Sequence, residues 1–97
     1  MRVSGMEIRE FQDLMRETYG AKDAERGVSA TIAWLAEEVG ELAQATRKGT
    51  AAQREHEVGD VLAWLVSLAN QIDVDIEQAA KRFASGCPHC AASPCTC

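Results

Sequence analysis

Glu38 and Glu41 stand eleven and eight residues before Gly49, and Asp60 and Glu57 stand eleven and eight residues after it. Each pair is spaced i, i+3, so each pair shares one face of a helix. Folding the chain back at Gly49 brings the two acidic pairs face to face across an antiparallel helix hairpin. Four carboxylates gathered so closely repel one another, and a bound cation is the usual remedy. Magnesium prefers such oxygen ligands, and magnesium between carboxylates points to phosphate chemistry.

The flanking sequence fits an all-α chain. Ile8, Phe11, Leu14 and Met15 give a helical apolar stripe over residues 6–19. Gly20 is the expected stop, with residues 21–28 as a polar loop. Ser29 is the expected N-cap of a second helix reaching Lys48, with Ile32, Leu35, Val39 and Leu42 as its core stripe. Arg47 and Lys48 complement the dipole of its last turn, and Gly49 suits the position after it. A third helix over residues 51–72 has a wide apolar face of Val58, Val61, Leu62, Leu65, Leu68, Ala69 and Ile72. Asp73 or Asp75 would cap a short fourth helix carrying Ile76, Ala79, Ala80 and Phe83, which Gly86 breaks. Two long apolar helices offer more surface than two short ones can cover. A second copy of the chain is expected to complete a four-helix-type bundle by two-fold symmetry.

The acids have aromatic neighbours. Trp34, Glu38, Glu41 and Ala45 follow one stripe, and Glu57, Asp60 and Trp64 another. Trp34 and Trp64 are also equidistant from Gly49, so the hairpin puts both indoles at one end of the acidic cluster. A flat apolar wall beside a metal–phosphate site suits stacking by a nucleobase, although a core role fits the tryptophans equally well, Trp64 above all. A lone Glu-x-x-Glu is ordinarily a solvated helix surface. Two matched pairs without basic partners on their own faces are a different matter. No covalent nucleophile stands out: Ser67 has no histidine at helical spacing, and His56 points away from the acidic stripe and reads as a surface histidine.

Charge and hydropathy narrow the partners. A net charge of −5 argues against wrapping a nucleic-acid polymer or an anionic membrane, yet admits a small phosphorylated ligand bridged by metal. No apolar run approaches the ~20 residues of a membrane span, and residues 1–10 lack the apolar stretch of a signal peptide. A cytoplasmic chain is expected. Met6 would serve as an alternative start, in which case residues 1–5 need no order.

The segment Trp34-Leu35-Ala36-Glu37-Glu38-Val39-Gly40-Glu41-Leu42-Ala43, followed by Glu57-Val58-Gly59-Asp60-Val61-Leu62-Ala63-Trp64-Leu65, resembles the MazG family of nucleotide pyrophosphohydrolases. All four acids of that family's Glu-x-x-Glu, spacer, Glu-x-x-Asp signature match, and the resemblance covers most of residues 8–83. It implies an all-α domain over residues 6–84, acting as a dimer or dimer of dimers. It implies hydrolysis of a (deoxy)nucleoside triphosphate to the monophosphate and pyrophosphate, of house-cleaning type. Glu38, Glu41, Glu57 and Asp60 would hold magnesium, with manganese as a substitute. Glu37 would orient the attacking water beside Glu38. Asn70, Lys81 and Arg82 would contact phosphate or sugar, as would Arg47 and Lys48. The alternatives are a phosphoribosyl-ATP pyrophosphohydrolase and a non-catalytic metal-binding helical adaptor.

Residues 85–97 form a cysteine-rich tail outside the minimal family pattern. Cys87 and Cys90 make a C-x2-C, and Cys95 and Cys97 a C-x-C. Four thiolates so close could hold one structural, tetrahedral zinc, with His89 able to replace one of them. A reduced, disordered tail and a zinc shared between two subunits are the competing readings.

Overall fold

The computed structural model describes residues 5–97. The expectation that residues 1–5 need no order lies, for residues 1–4, outside the described residues. The described chain is all-helical, with four helices and no strand: α1 (Ile8–Arg26), α2 (Val28–Lys48), α3 (Ala51–Gln71) and α4 (Ile76–Ala80), followed by a 3₁₀ turn, Lys81–Phe83. None of these helices is long and apolar enough to cross a membrane.

α1 is longer than its sequence suggested. Gly20 does not end it, and the expected loop over residues 21–28 is helical as far as Arg26. A glycine inside a helix costs only about 1 kcal/mol, and tertiary contacts offset that here. Asp23 is buried, its carboxylate accepts from Arg26 Nη1 at 2.7 Å, and its carbonyl accepts from Gln71 Nε2 at 2.7 Å. The break comes instead at Gly27, whose φ of +87° suits a residue without a Cβ. Gly27 is therefore the cap of α2, and Ser29 lies inside the first turn rather than capping it. Thr31, fully buried, donates its hydroxyl to the Gly27 carbonyl at 3.0 Å.

Only Gly49 and Thr50 separate α2 from α3. Gly49 is extended, with φ −96°, rather than left-handed. Thr50 caps α3 by accepting from Gln53 N at 3.1 Å, while Gln53 Oε1 accepts from Thr50 N at 2.7 Å. Thr50→Ala is expected to cost about 1 kcal/mol, read as a lower denaturant midpoint at unchanged slope.

Gln12, buried on α1, ties the C-terminal end of α3 to α4. Its Nε2 donates to Asn70 Oδ1 (3.0 Å) and the Val74 carbonyl (2.8 Å), and its Oε1 accepts from Ile76 N (2.9 Å). Asp75, not Asp73, caps α4 by accepting from Gln78 N.

The buried residues are Gln12, Met15 and Asp23 on α1, Thr31 and Ala45 on α2, and Val66, Ser67 and Ala69 on α3. The apolar faces expected to form the core of the long helices are largely open. Ile32 and Val39 on α2 are about half exposed, as are Val58, Leu62, Leu65 and Ile72 on α3. Helices α1 and α2 both pack against α3, and these apolar residues stay exposed beside those contacts.

Candidate metal centre

α2 and α3 pack along each other with residues equidistant from Gly49 opposed. Trp34 stacks on Trp64, with centroids 5.8 Å apart and planes 11° from parallel. One to two turns towards Gly49, carboxylate oxygens of Glu38, Glu41 and Glu57 lie within 4.8 Å of one another. Asp60 joins the group through Glu57 on one side and Glu38 on the other.

No basic side chain forms an ion pair with Glu38 or Glu41 among the described residues. Glu38 Oε2 and Glu57 Oε2 are both buried without a hydrogen-bond donor. Burial raises the Glu38 pKa above its ordinary value, and the charges of Glu41, Asp60 and Glu57 raise it further. The Glu41 pKa is raised too, by desolvation first, then by a hydrogen bond shared with Glu57 and by the charges of Glu57 and Asp60. Orphaned, buried oxygens of one sign are what a hard cation satisfies. The donor set, all carboxylate, suits magnesium or manganese.

Two cavities flank the cluster. One, about 370 Å³, opens towards the turn and is lined by Glu41, Gln44, Lys48, Gln53 and Glu57. The other, about 200 Å³, lies against α1 between Tyr19, Arg26, Asp60 and Trp64. Arg26 sits over the Trp64 ring, 4.7 Å from its centroid, so Trp64 is covered by Trp34 and Arg26 together. Trp34 remains 46% exposed and is the indole with a ring free to receive a ligand.

The other sequence candidates are distributed unevenly. Glu37 is exposed, next to Glu38 in sequence but outside the gathered oxygens. Lys48 lines the cavity by the turn, whereas Arg47 does not. Asn70 is engaged elsewhere. Its Oδ1 accepts from Gln12 and Arg16, and its Nδ2 donates to the Gln12 carbonyl at 3.2 Å. It also stands ten residues beyond Asp60, about 15 Å along the helix. Lys81 and Arg82 belong to the turn after α4, which packs on α1, and are not brought to the acids. The four cysteines gather separately.

His56 departs from expectation. It is exposed, yet its Nε2 lies 3.2 Å from Asp60 Oδ2, because i, i+4 spacing stacks the two on one helix face. Tyr19, Asp23 and Arg26 were also missed as neighbours of the site. Their i, i+4, i+7 spacing was a helical signal, masked by reading Gly20 as a stop.

The family model for the MazG nucleotide pyrophosphohydrolase domain matches residues 26–90, more than half of the chain. Among curated proteins none matches.

Proposed function

The chain belongs to the MazG nucleotide pyrophosphohydrolase family, and from that premise we propose that it hydrolyses (deoxy)nucleoside triphosphates to the monophosphate and pyrophosphate, with magnesium held by Glu38, Glu41, Glu57 and Asp60. The observation that carries this reading is the pair of buried carboxylate oxygens, Glu38 Oε2 and Glu57 Oε2, that lack any donor. Bound there, magnesium supplies charge neutralisation for the phosphates and a coordinated water of lowered pKa.

The chain's own residues do the rest. The four acids fix where the triphosphate can sit. Lys48, at the mouth of the cavity beside Glu41 and Glu57, balances phosphate charge. The exposed Glu37 orients the attacking water beside Glu38. The open ring of Trp34, backed by Trp64, receives the base by stacking, which tolerates any base. A second copy covers the open face of Ile32, Val39, Val58, Leu62, Leu65 and Ile72 in a two-fold dimer.

The test is product analysis on a panel of ribo- and deoxyribonucleoside triphosphates, with and without magnesium. Metal-dependent monophosphate and pyrophosphate are expected. Diphosphate and orthophosphate would place the cut at the wrong bond. No turnover by folded protein would favour phosphoribosyl-ATP as substrate, or a non-catalytic adaptor.

Magnesium binding has a pH signature. Folding raises the pKa of Glu38 and Glu41 above 4.5, so these groups hold protons more tightly in the folded chain than in the unfolded one. Their ionisation therefore costs stability progressively as pH rises from about 4.5 through the raised values, and below that window the cost is absent. Magnesium offsets the cost. The rise in melting temperature on adding magnesium is expected to be negligible below the window and to grow through it, tracked by thermal melts at a series of pH values. A magnesium effect independent of pH would contradict the assignment.

A further inference from the structure

The helical domain leaves the last residues of the chain without a core. No residue beyond Ala69 is fully buried, and α4 buries none. The tail is nevertheless a defined turn. Cys87 N donates to the Ala92 carbonyl at 3.0 Å, and Ala91 N donates to the Cys87 carbonyl at 2.6 Å. Gly86 has φ +107°, and a Cβ on it would lie 2.8 Å from the Ala92 carbonyl oxygen. Ala91, just after the C-x2-C, takes the left-handed conformation at φ +60°, which a non-glycine residue rarely adopts.

This strained turn converges on sulfur. All four cysteines are free, and one Sγ from each lies within 4.8 Å of the others. Cys87 Sγ and Cys97 Sγ are 3.8 Å apart, and Cys90 Sγ and Cys95 Sγ 3.9 Å. A zinc–sulfur bond of about 2.3 Å in a tetrahedron gives sulfur–sulfur edges of about 3.8 Å. A disulfide would need about 2.0 Å. Backbone amides face the sulfurs as well: Thr96 N lies 3.4 Å from Cys90 Sγ, and Cys97 N lies 3.4 Å from Cys95 Sγ. Such donors stabilise thiolate over thiol.

We infer that Cys87, Cys90, Cys95 and Cys97 of one chain form a closed, four-thiolate zinc site that folds the tail independently of the acidic centre. With every coordination position filled by protein, this zinc is structural and has no open position for substrate. Its binding energy replaces the missing apolar core. Zinc displaces the protons that remain on the thiols.

The test is made on the full chain. Metal analysis of protein purified without chelator is expected to give about one zinc per chain. Replacement by Co²⁺ is expected to give the intense visible bands and sulfur-to-cobalt charge transfer of a tetrahedral thiolate site. The double variant Cys90→Ser/Cys95→Ser is expected to lose at least about nine tenths of the zinc while keeping magnesium-dependent turnover. Glu41→Gln is expected to lose turnover and keep the zinc, so the two metal assignments fail separately. Half a zinc per chain would place the ion between two tails and overturn the single-chain site. Four thiols titrating freely in native protein, a mass two or four hydrogens short, or octahedral cobalt would overturn it outright. The cobalt spectrum of the unaltered chain decides the matter even if the serine variant fails to fold.

Discussion

Replacing Glu38 by Gln is expected to slow magnesium-dependent triphosphate hydrolysis by about a hundredfold or more, without loss of stability. The amide has nearly the same shape, so packing against α3 is preserved. It carries no charge, so it cannot help hold a divalent cation. Glu38 Oε2 is buried without a donor, and burial together with three neighbouring carboxylates already disfavours the ionised group. Neutralising it relieves repulsion in the metal-free chain, and the thermal midpoint in chelator is expected to stay level or rise. In magnesium the difference shrinks or reverses, because wild type alone gains from the ion. The measurement pairs initial rates across a magnesium titration with melts in chelator and in magnesium. Full activity in the variant would remove Glu38 from the centre. A large drop in stability would mean the carboxylate is a structural group instead.

Arg26→Leu is expected to cost about 3 to 5 kcal/mol of folding stability, a large part of what a domain of this size has. Asp23 is almost wholly buried, and Arg26 Nη1 at 2.7 Å is its ion-pair partner. Asp23 Oδ2 has no hydrogen bond of its own. Removing the guanidinium leaves a carboxylate stranded at the α1–α3 interface and also uncovers the Trp64 ring. Urea unfolding would show a lower midpoint. The double variant Asp23→Leu/Arg26→Leu should recover much of the loss, because apolar groups in place of both partners leave no orphaned charge. A single-variant cost below about 1 kcal/mol would show that solvent reaches Asp23 and screens it.

The acidic centre was readable in the sequence because its information is periodic and symmetric. Spacing of i, i+3 fixes a face, and equal distances from Gly49 fix which faces meet. The gathering of Glu38, Glu41 and Glu57 follows from those two facts. Asn70 was less legible. Its polarity and position suited ligand contact, but Gln12 and Arg16, far away in sequence, engage it, and no local pattern announces such a network. Gly20 misled because helix-breaking is a weak preference that the buried Asp23 and its partners override. The open stripes of Ile32, Val39, Val58 and Leu62 carry a different lesson. Periodicity identifies an apolar face correctly, but it does not say whether the surface that covers it belongs to the same chain.

The stacked indoles give the protein an optical signal of its own. Trp34 and Trp64 are the only tryptophans in the sequence, one on each of the two helices that carry the acids. Two nearly parallel chromophores 5.8 Å apart couple their excited states. Circular dichroism should therefore contain a paired band of opposite signs that neither indole alone produces. The band would collapse if α2 and α3 slid by a turn, and a base stacking on Trp34 would reshape it. Alignment of the acidic pairs, and a nucleotide's arrival beside them, could thus be followed in unlabelled protein.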